Sequence, residues 1–237
     1  MGSNNYFQFK QFRVEQEQSA MKVGIDGVLL GAWANVDGCS QILDVGTGTG
    51  LIALMLAQRS EAKITAIEIE KKAALEAAEN VSVSPWNERI EVVHTSFQDF
   101  AKKCHEKFDL IVSNPPYFSN SFKAANSERT LARHNDTLPF SVLIKLASEM
   151  LSEHGRLALI VPDGAIQHLK VLAELNHLFL QHITKIKPKP GKSVNRALLE
   201  WGRKQTALKE DCLIIYYRDN SFTEEYIGLT KEFYLKF

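Results

Sequence analysis

The sequence is poor in the features that mark specialised classes of protein. It holds three cysteines in 237 residues, Cys39, Cys104 and Cys212. They lie far apart without a C-x-x-C pair, so neither a disulfide framework nor a close-spaced zinc site is expected. The seven histidines are scattered, none in H-x-x-x-H or H-E-x-x-H spacing, and no metal is expected. No apolar run approaches the ~18 residues that span a bilayer. The stretch Met1 to Phe12 is polar and aromatic and lacks the apolar core of a signal peptide. Myristoylation would need Ser or Thr at the sixth position, where Tyr6 stands. Excess charge is missing too. The 28 Lys plus Arg balance 28 Asp plus Glu, which excludes a generally basic coat for nucleic acid while permitting a local patch. A cytoplasmic protein with no membrane association is expected. What is present suits a folded chain: 45% hydrophobic and 24% charged residues allow a large core and exclude a mostly disordered polypeptide.

Repeats, low-complexity tracts and Gly/Ser-rich linkers are absent as well, so residues 1–237 read as one domain, an N-terminal segment (1–38) ahead of a core (39–237). From residue 41 short apolar runs alternate with longer helical patterns, the sequence form of a parallel α/β sheet. Strands are predicted at Ile42 to Val45, Lys63 to Ile69, Ile90 to His94, Phe108 to Ser113 and Arg156 to Val161. Helices are predicted at Gly50 to Gln58, Lys71 to Val81, Leu138 to Leu151 (with Gly155 as its stop) and Asp163 to Glu174. The last third alternates more. Leu178 to Lys187, Ala197 to Gly202 and Asp211 to Arg218 read as strands, two of them an antiparallel pair at the sheet edge. A basic, proline-broken loop, Lys185-Ile186-Lys187-Pro188-Lys189-Pro190-Gly191-Lys192, joins the first two.

The first chemical signal is Asp44-Val45-Gly46-Thr47-Gly48-Thr49-Gly50, which follows a strand and opens a helix. Glycines there let the backbone turn with positive φ and let a ligand approach where a Cβ would intrude. Glu68 ends the next strand 24 positions after Asp44. That separation suits the carboxylate that holds ribose hydroxyls in Rossmann-like folds, and an ionised acceptor strengthens both bonds. Dinucleotide sites use G-x-G-x-x-G around a pyrophosphate. Here the pattern is D-x-G-x-G-x-G with its acid, Asp44, at the strand end; that carboxylate would repel a pyrophosphate and suits a cationic ammonium or sulfonium. The pattern resembles the first motif of S-adenosylmethionine-dependent methyltransferases. A purely structural glycine turn is the alternative.

The second signal is Asn114-Pro115-Pro116-Tyr117, with Phe118 beside it, directly after the fourth strand. Ligands of open parallel sheets bind outside the carboxyl ends of the strands, which puts this tetrapeptide and the glycine turn at one rim. The prolines keep the segment out of any helix. An exocyclic amine of adenine, or a glutamine amide, is a poor nucleophile because its lone pair is delocalised. The Asn114 side-chain oxygen and the Pro115 main-chain oxygen can accept its two hydrogens, drawing the nitrogen toward tetrahedral geometry with its lone pair aimed at the methyl. Such catalysis rests on positioning and on stabilising the developing ammonium, with no strong general base. Asn114 thereby belongs to both the catalytic and the cofactor-binding sets. Tyr117 and Phe118 can stack on a planar base swung out of its stack. An inactive binding module with this fold is the competing class, and the intact Asp44, Glu68 and Asn114 argue against it.

N-P-P-Y serves DNA adenine, RNA adenine or guanine, and release-factor glutamine. The chain has no room for a DNA target-recognition domain, and about 40 residues before the glycine turn leave little for the helical N-terminal domain of release-factor enzymes. Those residues run Ala20-Met21-Lys22-Val23-Gly24-Ile25-Asp26-Gly27-Val28-Leu29-Leu30-Gly31-Ala32-Trp33. Together with Asn114 to Tyr117, Glu128 to His134 and Arg196 to Glu200, they resemble the bacterial tRNA(Val) adenine-37 N6-methyltransferases. The resemblance implies a Rossmann-like class I methyltransferase fold with a seven-stranded, mostly parallel sheet, an antiparallel edge strand and helices on both faces. It implies S-adenosyl-L-methionine as methyl donor, S-adenosyl-L-homocysteine as product and tRNA as substrate, with no obligate protein partner. An N5-glutamine methyltransferase acting on a release factor, or a different RNA adenine/guanine N-methyltransferase, remains the alternative. The chain departs from the family at Ile25, where relatives commonly carry Thr. It departs again after the third strand, where Asp99 or a backbone amide must serve the cofactor adenine. Lys22 and Asp26 suit the carboxylate and ammonium of the methionine moiety. Arg129 and Arg133, four apart, with Lys187, Lys189, Lys192, Arg196 and Arg203 make a candidate phosphate-gripping edge on a neutral protein.

Overall fold

A computed structural model describes residues 5–19, 22–115 and 138–237. A short hairpin, β1 (Tyr6–Gln8) and β2 (Arg13–Glu15), leads to α1 (Ile25–Trp33). The chain then alternates: β3 (Gln41–Val45), α2 (Leu51–Arg59), β4 (Lys63–Glu68), α3 (Lys71–Ser82), β5 (Ile90–His94), α4 (Phe97–Lys103) and β6 (Phe108–Ser113). Beyond residue 137 come α5 (Phe140–Met150), β7 (Leu151–Pro162), α6 (Ile166–Leu175), β8 (Phe179–Lys187), β9 (Arg196–Gly202), β10 (Lys209–Ile214) and α7 (Glu224–Thr230).

The main sheet has the order β10-β8-β9-β7-β6-β3-β4-β5. Its neighbours are parallel except at β9, which runs against both β7 and β8. The α/β class therefore holds, but two details of the expectation change. Eight strands stand where seven were expected, and the antiparallel strand is interior rather than at the edge. Composition explains both. In β9, Ala197 through Gly202 are all buried, a run apolar enough for a strand covered on both faces. β10 opens with Lys209-Glu210-Asp211, all exposed, the charged character that suits an edge. A third correction concerns Gly155. It does not stop α5, which ends at Met150. It lies inside β7 beside the register shift between Phe108 and Leu110, and a Cβ there would stand 2.6 Å from the Phe108 carbonyl oxygen.

The sheet divides the core in two. On one face Ile64, Leu110, Ala158, Ile160, Leu198 and Leu213 pack with α1, α2 and the N-terminal Phe9, Phe12 and Val14. On the other, Leu43, Ile111, Leu157, Leu199 and Trp201 pack with α5 and α6. Phe9, Phe12, Val14 and α1 thus share the core of the sheet. Gly31 permits it: a Cβ there would stand 2.8 Å from Met55 Sδ, so α1 lies directly on α2. Trp33, at the end of α1, donates its indole N–H to Thr184 Oγ1 of β8 (2.9 Å). Among the described residues no helix is long and apolar enough to cross a membrane.

Candidate active site

Strand register brings the separated motifs together. Val45 pairs with Ile67 across β3 and β4, and Asp44 pairs with Val112 across β3 and β6. One step past the first pair, Glu68 is level with Gly46. Two steps past Val112, Asn114 reaches the same level on the other side. Three adjacent strands thus end with Glu68, Gly46 and Asn114 in a row, about 5 Å apart from strand to strand. Asn114 is half-buried and Pro115 buried. Pro116, Tyr117, Phe118, Arg129 and Arg133 lie outside the described residues.

The glycine turn is held from both sides. Gly46, Gly48 and Gly50 have φ of 73°, 58° and 83°, a region that L side chains rarely adopt. Space stands open around ideal Cβ positions at Gly46 and Gly48. The amides of Gly46 and Thr47 both donate to the Ile67 carbonyl (2.9 and 3.0 Å). Glu68 braces the turn with its side chain: Oε2 accepts from the Gly48 amide and Oε1 from the Glu70 amide, each at 2.9 Å. Both carboxylate oxygens retain lone pairs for further donors.

Asp44 is fully buried, and Thr47 Oγ1 donates to its Oδ2 at 2.6 Å. Its Oδ1 meets no hydrogen-bond donor among the described residues. Burial, helped by the nearby Glu68 charge, pushes the carboxyl up to about 7 against the opposing Thr47 hydroxyl and Ala53 amide. A buried acid with an unmatched oxygen beneath a glycine cradle fits a cationic ligand. Open backbone at Gly46 and Gly48, and the Glu68 carboxylate two strands' width from Asn114, fit a ribose-bearing cofactor with a positive centre. Ile69, directly after Glu68, is an apolar side chain more than half exposed beside that carboxylate. The sequence pattern did not single it out, although an apolar residue just past a strand-ending acid was the available signal.

Two polar residues on α3, Glu76 and Asn80, also went unread in the sequence. Asn80 Nδ2 donates to the carbonyls of Thr49 (3.0 Å) and Glu15 (2.9 Å), and its Oδ1 accepts from the Glu15 amide (2.8 Å). Glu76 accepts from the amides of Glu17 (2.5 Å), Gln18 (2.7 Å) and Ser19 (2.9 Å). Burial alone would raise its carboxyl; the amides of Gln18, Ser19 and Glu17 and the Ser19 hydroxyl together hold it below the ordinary range. The N-terminal segment is thereby stapled beside the glycine turn. Replacing Glu76 with alanine would strand these donors and is expected to destabilise the fold by about 2 kcal/mol, measured by urea denaturation. A midpoint equal to that of the parent chain would refute the staple.

The remaining expected residues scatter. Asp26 Oδ2 accepts from Arg196 Nε at 2.9 Å, which ties the start of β9 to α1 while the Arg196 side chain stays one-third exposed. Asp99 stands in the first turn of α4, exposed. Its Oδ2 accepts from the Ser96 hydroxyl (2.9 Å) and its Oδ1 pairs with Lys102 (2.8 Å). Each oxygen of this exposed carboxylate thus carries one bond and keeps acceptor capacity for a further donor, so Asp99 and a backbone amide both remain candidates for the adenine. Arg203 drops out of the basic edge. β9 begins at the rim and runs down the sheet, so Arg203 lies at the opposite end, donating to the carbonyls of Ser148, Leu151 and Ser152. Lys187 and Lys189 are half-buried and Lys192 exposed in the β8–β9 connection, and Lys189 Nζ donates to Asn220 Oδ1. β8 runs parallel to β6 through the intervening strands, so this basic loop leaves the sheet at the Asn114 rim. Three strand spacings separate them, about 14 Å.

A mostly parallel sheet with one reversed interior strand, a glycine turn braced by an acid, and Asn-Pro at the next strand end define a Rossmann-like methyltransferase. Residues 28–189 match the family model described as Methyltransferase small domain. The chain is 46% identical over 239 residues, 99% of each chain, to the tRNA1(Val) (adenine(37)-N6)-methyltransferase of Bacteroides fragilis (strain YCH46). It is 45% identical over 240 residues, 100% of each chain, to the protein of that name from Trichodesmium erythraeum (strain IMS101). In fold it is similar to the crystal structure of a predicted O-methyltransferase from Agrobacterium tumefaciens, with a TM-score of 0.66 and 23% identity, covering 88% of this chain and 96% of that one. The chain belongs to the tRNA1(Val) (adenine(37)-N6)-methyltransferase family.

Proposed function

We propose that the protein methylates the exocyclic N6 of an adenine in tRNA, adenine-37 of tRNA1(Val), using S-adenosyl-L-methionine and releasing S-adenosyl-L-homocysteine. The observation that supports it best is the row Glu68, Gly46, Asn114 at one level of three adjacent strands. When bound, the cofactor supplies an electrophilic methyl on a sulfonium. The side-chain oxygen of Asn114 and the main-chain oxygen of Pro115 receive the two amine hydrogens and orient the nitrogen lone pair. Glu68 accepts from ribose hydroxyls, and Asp44 lends negative charge beneath the glycine turn. The proton lost from nitrogen leaves to solvent after transfer, so these residues need no metal. Tyr117 and Phe118 stack on the extruded base, and Arg129 and Arg133 contact phosphate together with the Lys187–Lys192 loop. Residues 1–237 act as one domain, in the cytoplasm and without an obligate protein partner.

Incubating unmodified tRNA with isotopically labelled cofactor, then analysing its nucleosides by mass spectrometry, tests the assignment. Labelled N6-methyladenosine at position 37 is the expected product. Methylated release-factor glutamine without any tRNA product would overturn the assignment in favour of the protein substrate.

Asp44 predicts a pH dependence. Its carboxyl titrates near 7 in the folded chain, so at pH 6 it is mostly neutral and at pH 8 mostly ionised. A cationic ligand favours the ionised form, hence cofactor affinity is expected to rise, by up to roughly tenfold, between pH 6 and 8. Calorimetry on Asp44→Asn should give a flatter profile and weaker binding at pH 8. Identical profiles for parent and variant would remove Asp44 from the surroundings of the positive charge.

A further inference from the structure

β10 lies beside β8 and parallel to it, so the segment following β10 emerges at the same rim as the basic loop following β8. The two are joined by main-chain bonds, Ile215 amide to Lys187 carbonyl and Tyr216 amide to Pro188 carbonyl, each 3.0 Å. A side-chain bond joins them again, from Lys189 Nζ to Asn220 Oδ1. Between these ties the chain makes a tight turn. The Asn220 amide donates to the Tyr217 carbonyl (3.2 Å), the Tyr217 amide to the Ser221 carbonyl (2.8 Å), and Asn220 takes φ of 72°. The turn's carboxylate, Asp219, is exposed like its neighbours, and its Oδ1 accepts from the Ser221 amide (2.9 Å) and hydroxyl (2.6 Å). Tyr217, 42% exposed, and the exposed Arg218 are left at the tip.

An aromatic face beside a guanidinium, on a turn whose backbone is already fixed, costs little ordering on binding. It is the combination that suits single-stranded nucleic acid, the ring stacking on a base and the cations neutralising phosphates. Lys187, Lys189 and Lys192 lie against it on the adjoining loop. β10 is four strand spacings from β6, about 19 Å, which is the reach of a few nucleotides from the base held at Asn114. We propose that the Tyr217–Arg218 turn and the Lys187–Lys192 loop form one ledge that grips the RNA strand a few nucleotides from the methylated adenine, Tyr217 stacking on a base and Arg218 pairing with a phosphate. This rests on the tRNA assignment above and adds to it the part of the protein that recognises flanking nucleotides.

Steady-state kinetics with an unmodified tRNA(Val) transcript test it on Tyr217→Ala, Tyr217→Phe and Arg218→Ala. Tyr217→Ala is expected to raise KM for tRNA by roughly tenfold, while Tyr217→Phe, which keeps the ring face, stays near the parent. Arg218→Ala should reduce the slope of log affinity against log salt by about one phosphate contact. The kcat at saturating tRNA and the cofactor affinity should not move in any of the three. Parent-like KM values and salt slopes in both alanine variants, with tRNA methylation intact, would overturn the ledge alone. A parent protein that methylates no tRNA would instead overturn the assignment beneath it.

Discussion

Asn114→Ala is expected to lower the rate of methyl transfer by on the order of 10²-fold or more while leaving cofactor affinity within a few-fold. The split follows from placement. Asn114 stands one residue beyond β6, level with the glycine turn, and in the proposed mechanism its side-chain oxygen serves chiefly the substrate amine. Removing one preorganised acceptor leaves the nitrogen lone pair delocalised in the ring and the developing ammonium half supported. Asn114→Asp keeps an acceptor of the same reach and should retain part of the activity. Single-turnover transfer with excess enzyme, alongside cofactor titration, separates the two quantities. Near-parent transfer by the alanine variant would end the case for the Asn-Pro acceptor pair.

Glu68→Ala is expected to weaken cofactor binding by roughly 1.5–3 kcal/mol, the range for hydrogen bonds to charged groups. The side chain serves the site twice. In the proposed mechanism it accepts from ligand hydroxyls, and in the structure it holds the Gly48 amide at 2.9 Å, so its loss also loosens the turn. Glu68→Gln retains one acceptor oxygen and should fall between parent and alanine. Transfer at saturating cofactor should recover much of the lost rate, unlike the Asn114 variant. Unchanged affinity by calorimetry would place the ribose elsewhere.

The central strands β3, β4 and β6 were legible in the sequence because burial on both faces favours apolar residues at successive positions, as at Ile42-Leu43 and Leu110-Ile111-Val112. β5, at the sheet edge with Glu91 and His94 exposed, was legible from its β-branched Ile90, Val92 and Val93. The elements that went unread are short or depend on distant contacts. α4 carried a readable start: Ser96 accepts from the Asp99 amide (3.0 Å), the S-x-x-D form of an N-terminal cap. α7 carried another in Thr223, which accepts from the Tyr226 amide (3.2 Å) ahead of two first-turn glutamates. The hairpin β1–β2 has three residues per strand, too few for a period to register. In the site, Asp44 and Glu68 were legible because both lie at strand ends at a stated spacing, and Asn114 because it opens N-P-P-Y directly after β6. The Asp26–Arg196 bond was not, since nothing local links residues 170 positions apart. The contrast between Arg196, at the rim, and Arg203, at the far end, was hidden for one reason. Both depend on the direction of β9, which its composition does not reveal.

That direction also bears on how the chain is made. β8 precedes β9 in sequence, yet its way into the sheet is through β9, which wedges between it and β7. During synthesis β3 to β7 can assemble as soon as they emerge, whereas β8 must wait, both its edges unpaired, until residues near 202 have left the ribosome. A nascent chain stalled before Arg196 would display the open edges of β7 and β8 to any neighbour, the condition that favours aggregation. The half of the sheet that carries the basic ledge is therefore completed last, and ribosome-bound chains of increasing length should gain protease resistance in two stages, the second only after β9 is available.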